Sequence, residues 1–192
     1  MEQPIFDKSW TLFLDRDGVI NHRIPGAYVR HWDEFEFMED VPAAIASFSK
    51  IFGRIVVVTN QQGIGKGLMT AEQLVALHDK MYREIMKVGG RIDAVYFCPK
   101  LATENPICRK PETGMAYQAQ RNFPEINFKK SVMVGDSLSD MGFGSKVGMW
   151  NILVETNAET KALLALKDLN ENWYINQKVK NLKELAHQLR SS

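Results

Sequence analysis

An open α/β sheet of about five parallel strands, with helices on both faces, is the architecture this sequence predicts. Three observations carry it. Short apolar runs alternate with longer amphipathic stretches five times along the chain, which is the signature of repeated strand–helix units. The runs at 12–14, 55–58 and 132–134 are apolar at successive positions rather than at every second one, as strands buried on both faces are. Each run stops abruptly at polar or charged residues, where the carboxyl edge of such a sheet meets solvent or ligand.

The elements follow in order. The first strand, 12–14, ends in Asp15, Asp17 and Gly18, residues that do not favour continuing a strand. A polar, aromatic loop runs from 21 to 40. A helix over 41–51 has Pro42 in its tolerated first turn, an apolar stripe of Ala44, Ile45, Phe48 and Ile51 or Phe52, and Gly53 as its stop. The second strand, 54–59, ends in Thr59, Asn60, Gln61 and Gln62. The glycines 63, 65 and 67 that follow read as a flexible turn. A helix over 71–88 opens on a Thr70/Gln73 capping box, with Leu74, Leu77, Met81, Ile85 and Val88 on its core face. Next come a strand at 92–98, a loop at 99–113 containing Cys108-Arg109-Lys110-Pro111, and a helix over 114–123. The fourth strand, 131–134, ends in Gly135-Asp136-Ser137, where Ser137 and Asp140 cap another helix. A strand at 152–154, a helix over 159–169, an extended piece at 173–175 and a helix over 182–189 complete a single domain spanning 1–192.

Composition sets bounds on function. The 192 residues are 45% hydrophobic and 24% charged, with net charge +1, an ordinary globular balance. Lysines and arginines do not cluster beyond pairs, which argues against nucleic acid as a partner. No stretch approaches the ~18 apolar residues of a membrane span, and the first residues lack the basic-then-apolar pattern of a signal peptide. A cytoplasmic monomer is expected, with Cys98 and Cys108 reduced.

Right-handed crossovers bring the loops after each strand to one edge. Four of those loops carry Asp15 and Asp17, Thr59 and Asn60, Arg109 and Lys110, and Asp136. Three carboxylates from two loops need a cation, and hard oxygen ligands suit Mg²⁺. The hydroxyl, amide and cations opposite suit phosphate oxygens. An aspartate can attack phosphorus, and a second carboxylate two residues on can exchange protons with the leaving oxygen and the attacking water. Other phosphate and metal motifs fail on spacing. An EF-hand would need Gly and Glu at its sixth and twelfth positions, where Ile20 and Gly26 stand. A P-loop would need Ser or Thr after Gly65-Lys66, and glycines 63, 65 and 67 do not match a dinucleotide turn. Aspartates also begin helices for purely local reasons, which by itself accounts for Asp136, and the Ser137 capping box accounts for Asp140. His22 and His31 read as solvated loop residues, and His78 and His187 as structural ones.

With four motifs in order (Phe13-Leu14-Asp15-Arg16-Asp17-Gly18, Val58-Thr59-Asn60-Gln61, Arg109-Lys110-Pro111 and Gly135-Asp136-Ser137-Leu138-Ser139-Asp140), the chain resembles the haloacid dehalogenase superfamily of phosphatases. The stretches 14–21, 57–64 and 108–111 are most similar to its branch of heptose-bisphosphate and histidinol-phosphate phosphatases. The resemblance implies a Rossmann-like sheet without a cap domain and a small phosphorylated sugar as substrate. It implies Asp15 as nucleophile, Asp17 as general acid/base, and Mg²⁺ held by Asp15, Asp136 and the Asp17 backbone carbonyl. Thr59 and Lys110 would hold the transferring phosphoryl group, and Tyr28, Asn60, Gln61, Gln62 and Arg109 would meet the rest of the substrate. The loop after the first motif is slightly longer here than in the family, so no contact is assigned to Arg23 or Gly26. Many relatives bind a structural zinc through Cys-x-His and Cys-x-Cys. Here those positions read Cys98-Pro99-Lys100 and Pro106-Ile107-Cys108. A tetrahedral site needs four ligands, so structural zinc is expected to be absent and the cysteines to be packing residues. Ser137 stands where heptose-specific relatives often carry lysine.

Overall fold

The structure, a computed structural model, describes residues 3–165 and 172–190. Strands β1 (Thr11–Leu14), β2 (Arg54–Asn60), β3 (Ala94–Cys98), β4 (Ser131–Gly135), β5 (Trp150–Val154) and β6 (Gln177–Val179) form one sheet in the order β3-β2-β1-β4-β5-β6. Every neighbouring pair is parallel. The chain builds outward from β1 to β3, then crosses back to β4 and builds outward on the other side. β1 and β4 therefore flank the point where the winding reverses, and the loops leaving their carboxyl ends diverge and leave a crevice between them.

Strand side chains alternate between two cores. Leu12, Leu14, Ile55, Val57, Val132 and Val134 face one core, with residues of α1 (Val41–Ile51), α3 (Ala71–Lys87) and α7 (Leu182–Arg190). Phe13, Val56, Val58 and Met133 face the other, against Met115, Ala116 and Ala119 of α4 (Gly114–Asn122) and Phe143 of α5 (Leu138–Val147). The parallel sheet is thus covered on both sides, which explains the unbroken apolar runs in the sequence.

Several expectations change. The strand count is six rather than about five, and the sixth follows closely on the extended piece expected at 173–175. Asn151 ties that segment down with side-chain amides: its Nδ2 donates to Tyr174 O at 3.0 Å, and its backbone N donates to Asn176 Oδ1 at 2.7 Å. Ladder pairing starts only at Gln177, opposite Ile152. The three residues of β6 are too few and too polar to announce a strand by periodicity. The glycine-rich stretch after β2 is a turn of helix, α2 (Gln62–Gly65), rather than a loose turn. A Cβ at Gly63 would lie 3.2 Å from the Tyr28 ring, so any larger residue there would push that ring aside by a few tenths of an ångström. The helix expected over 159–169 is α6 (Ala158–Ala165) as far as the described residues reach, and 166–169 lie outside them.

The cysteines are also corrected. Cys98 and Cys108 are joined in a disulfide, with Cα atoms 5.3 Å apart. Asn60 pulls the loop after β3 back to the sheet, because its amide exchanges two hydrogen bonds with the Lys110 backbone, at 3.0 and 3.1 Å. That docking carries Cys108 over the end of β3, a meeting that spacing along the chain cannot reveal. Among the described residues no helix is long and apolar enough to cross a membrane.

Phe13 is fully buried and meets Phe143 edge-on with centroids 6.4 Å apart. Phe13→Ala should lower unfolding free energy by about 3–5 kcal/mol, read as a lower denaturation midpoint at unchanged slope. A loss under about 1 kcal/mol would mean that this face of β1 is not the packed centre described.

Candidate active site

The site is built at the carboxyl ends of β1, β2 and β4. Asp15 continues the β1 ladder by one hydrogen bond, its N donating to Val134 O at 2.9 Å. The chain then turns tightly, with Ile20 N donating back to Arg16 O at 2.7 Å. Gly18 lies at the turn with φ of +91°, and a Cβ there would sit 2.1 Å from Asp136 Oδ2. Only glycine tolerates both that backbone and that approach, so the first motif's glycine lets the first and fourth motifs close on each other.

Lys110 is the centre of the cluster. Its buried ammonium lies 2.8 Å from Asp15 Oδ1 and 2.6 Å from Asp140 Oδ1, and donates to Val58 O at 2.7 Å. Two carboxylate oxygens at ion-pair distance and one carbonyl thus surround the ammonium. Asp140 is in turn fixed by Ser137, whose N and Oγ both donate to Oδ2. The capping box read from the sequence is therefore real, but the second carboxylate oxygen does another job, orienting Lys110. Sequence reasoning left Asp140 out because one role already explained it.

A second network surrounds Asp17. Arg16, fully buried, donates to Asp17 Oδ1 and Oδ2 from Nη2 at 2.8 and 2.9 Å. Asn21 Nδ2 donates to Oδ1 at 3.0 Å and Gln61 Nε2 to Oδ2 at 2.8 Å. Gln61 Nε2 also donates to Thr59 Oγ1 at 2.9 Å. That leaves the threonine's own proton for a ligand. Gln61 is thus buried beneath the site rather than facing substrate. Behind Arg16 stands His78 of α3, its Nε2 3.1 Å from Arg16 Nη1. Burial, reinforced by the Arg16 charge, pushes His78 down to about 3, so its neutral ring accepts from the guanidinium. A lone helical histidine gives no sequence signal of that partnership.

In front of these networks lies a cleft of about 370 Å³, with Tyr28, Asn60, Gln62, Arg109, Ser137 and Ser139 among its lining residues. Nη1 of Arg109 is buried with no protein partner, as suits a group that waits for an anion. Arg23, from the loop after the first motif, places Nη2 3.1 Å from the Asp17 carbonyl oxygen and 2.9 Å from Asp136 Oδ1. The structure thus brings together Asp15, Asp17, Thr59, Lys110 and Asp136, with Tyr28, Asn60, Gln62 and Arg109 on the cleft. His22 and His31 are exposed.

Charge is unevenly balanced. Carboxylate oxygens of Asp15, Asp136 and Asp140 lie within 4.8 Å of one another, facing Lys110 and Arg23. Burial first, then Asp15 and Asp140, raises Asp136 to about 8. Burial likewise outweighs Lys110 and raises Asp15 to about 6. For Asp17, burial is outweighed by the Arg16 charge and by hydrogen bonds from Arg16, Asn21 and Gln61, so it is held below the usual carboxylate range. Lys110 is likewise raised by Asp140 and Asp15 against its burial. With Asp140 committed to Lys110 and Ser137, the oxygens left for a hard divalent cation are those of Asp15, Asp136 and the Asp17 carbonyl. A guanidinium already bridges the last two, so the position is one that accepts positive charge, and the all-oxygen donor set fits Mg²⁺.

A family model described as HAD-hyrolase-like matches residues 107–185. The chain is 40% identical over 138 residues to a D-glycero-alpha-D-manno-heptose-1,7-bisphosphate 7-phosphatase of Mycobacterium bovis, covering 72% of this chain and 73% of that one. It is 35% identical over 152 residues to the D-glycero-beta-D-manno-heptose-1,7-bisphosphate 7-phosphatase of Bordetella bronchiseptica, covering 79% and 84%. The crystal structure of D,D-heptose 1,7-bisphosphate phosphatase from B. bronchiseptica, complexed with magnesium and phosphate, superimposes with a TM-score of 0.84 at 32% identity, covering 95% of this chain and 98% of that one.

The raised carboxylates set a pH dependence. In unfolded chain Asp15 and Asp136 ionise near 3.8, but in the fold only near 6 and 8. The unfolded state therefore sheds these protons first, and metal-free stability falls as pH climbs between about 4 and 8. Melts in chelator should show Tm dropping from about pH 5 to about pH 8, with the drop reduced in Asp136→Asn, and added Mg²⁺ raising Tm more at the higher pH. Equal slopes for wild type and variant would contradict the assignment.

Proposed function

The chain belongs to the haloacid dehalogenase-like phosphatases, and from that premise we propose that it is a Mg²⁺-dependent phosphatase removing the 7-phosphate of D-glycero-D-manno-heptose 1,7-bisphosphate through an aspartyl-phosphate. The carrying observation is the buried contact of Lys110 Nζ with Asp15 Oδ1 at 2.8 Å, beside Asp136, on the lining of a cleft that Arg23 and Arg109 share. Relatives named for both the alpha and the beta anomer support the sugar and leave either anomer as substrate.

Asp15, Asp136 and the Asp17 carbonyl would hold Mg²⁺, which when bound supplies positive charge to the phosphate oxygens. Lys110 and the Thr59 hydroxyl bind the transferring phosphoryl group, and Lys110 neutralises charge that builds on its oxygens. Asp15 is the nucleophile: its carboxylate oxygen forms the bond to phosphorus as the bond to the sugar oxygen breaks. Asp17 gives its proton to that leaving oxygen, then takes one from the water that hydrolyses the aspartyl-phosphate. Arg16, Asn21 and Gln61 aim the Asp17 carboxylate, and the approach of a phosphate dianion opposes the lowering of its pKa that they cause. Arg109, with its unpartnered Nη1, is placed to clamp the second phosphate. A monomeric, cytoplasmic enzyme fits a soluble sugar phosphate. Reducing conditions there would open the Cys98–Cys108 bond, making the disulfide the oxidised form.

Phosphate release should be measured on both heptose bisphosphate anomers, histidinol phosphate and a generic aryl phosphate, with and without Mg²⁺. Heptose bisphosphate should give the highest kcat/KM, and Asp15→Asn should lose about 10³-fold or more. Preference for histidinol phosphate would replace the substrate. Equal inactivity of wild type and variant would replace the enzyme with a phospholigand-binding protein. Arg109→Ala should raise KM for the bisphosphate several-fold more than for a monophosphate, about 1 kcal/mol or more of lost binding. Equal effects on the two would remove the clamp.

A further inference from the structure

Arg23 makes a contact that the reaction scheme above does not use. Its Nη2 bridges the Asp17 carbonyl and Asp136 Oδ1 at 3.1 and 2.9 Å, the same two groups assigned to the cation. The two partners of this ion pair are held very differently. The Asp136 side chain is 2% exposed and the Arg23 side chain 45%. Asp136 Oδ2 is pressed against Gly18, where no Cβ would fit, so the carboxylate stays in place. The loop backbone is pinned too, His22 N donating to Glu36 O at 2.9 Å next to buried Asn21. What is free to move is the guanidinium, on its long and solvated stem.

Three carboxylates here face two side-chain cations. A divalent ion on the oxygens that Arg23 holds would meet a like charge at hydrogen-bonding range, which is unfavourable even at the effective dielectric of a protein surface. A phosphate dianion brought into the cleft, which Arg23 also lines, restores a partner for the guanidinium at the cleft rim.

We propose that Arg23 is an exchangeable counter-cation of this site: it pairs with Asp136 and the Asp17 carbonyl in the metal-free protein, gives them up to the divalent ion, and turns onto the phosphate oxygens of the bound ligand. Asp136 and the Asp17 carbonyl are then kept paired and correctly spaced between turnovers, and part of the metal's binding free energy goes into releasing a phosphate-binding side chain. This rests on the cation site assigned in the proposed function, but its test does not require turnover.

The test is calorimetric titration of Mg²⁺ into the intact protein without substrate, for wild type, Arg23→Ala and Arg23→Gln, with melting curves confirming that each variant folds. Both variants should bind Mg²⁺ about fivefold or more tightly than wild type, because a competing like charge is gone. Inorganic phosphate added to the Mg²⁺-saturated proteins should then bind several-fold more weakly to both variants. Mg²⁺ affinity that is unchanged or weaker in the variants overturns the exchange, and unchanged phosphate affinity overturns the turn onto phosphate. If Mg²⁺ binds more tightly to the variants while no phosphate ester is hydrolysed, the exchange stands and the phosphatase assignment falls.

Discussion

The buried ammonium of Lys110 is the constraint on which the rest of the site depends. It sits near the end of the long loop between β3 and α4, which Asn60 docks to the sheet through the Lys110 backbone, and from there its buried side chain reaches Asp15, Asp140 and the Val58 carbonyl. Burying such a group is costly unless every donor is satisfied, and removing one partner of a buried pair leaves a charge worth about 3–5 kcal/mol of destabilisation. β1, β2, β4 and α5 each supply or position one of its acceptors, so the sheet must be assembled before the lysine can be buried. The same contact holds the Asp15 carboxylate oxygen beside a positive charge, where a phosphoryl group would need one.

A second, separate network gives Asp17 the opposite environment. Asp15 and Asp136 are raised by burial among like charges, whereas Asp17 is lowered by a buried arginine and two amides. Carboxylates two residues apart thus sit in opposite environments: in the metal-free protein burial favours the protonated form of Asp15, which a divalent cation on its oxygens would reverse for attack, while the Arg16 network holds Asp17 ionised until a bound phosphate raises it for proton transfer. The support for Asp17 extends well behind the site. Arg16 would be a buried cation with an incomplete set of acceptors without His78, which belongs to α3 and lies 62 residues further along the chain. A helix far from the chemistry in sequence is thus coupled to the orientation of the proton-transfer group through a single neutral imidazole.

Most of the fold was legible because a doubly covered parallel sheet leaves an unusual trace. Residues 12–14, 55–58 and 132–134 are apolar on both faces, and each ends in the polar residues of the crevice. The topological rule on crossovers did the remaining work of gathering Asp15, Thr59, Lys110 and Asp136 at one edge. What stayed hidden shares a physical cause, in that it depends on side chains meeting across distances that no periodicity encodes. Asp140 looked fully explained by Ser137. His78 looked like an ordinary core histidine. Gln61, next to Asn60, looked like a cleft residue but turns inward to Asp17 and Thr59. Cys98 and Cys108 meet only because Asn60 docks the loop between them, and β6 is recognised only by its pairing with β5.

The central claim is that Asp15, held beside Lys110, becomes covalently phosphorylated. The most direct measurement is to quench the enzyme in acid during turnover of heptose bisphosphate, reduce it with borohydride, and map the peptides by mass spectrometry. Hydride reduces an acyl phosphate but not a free carboxylate, so position 15 should be converted to homoserine, with Asp17, Asp136 and Asp140 unchanged. Reduction at any of those three with Asp15 intact would contradict the account.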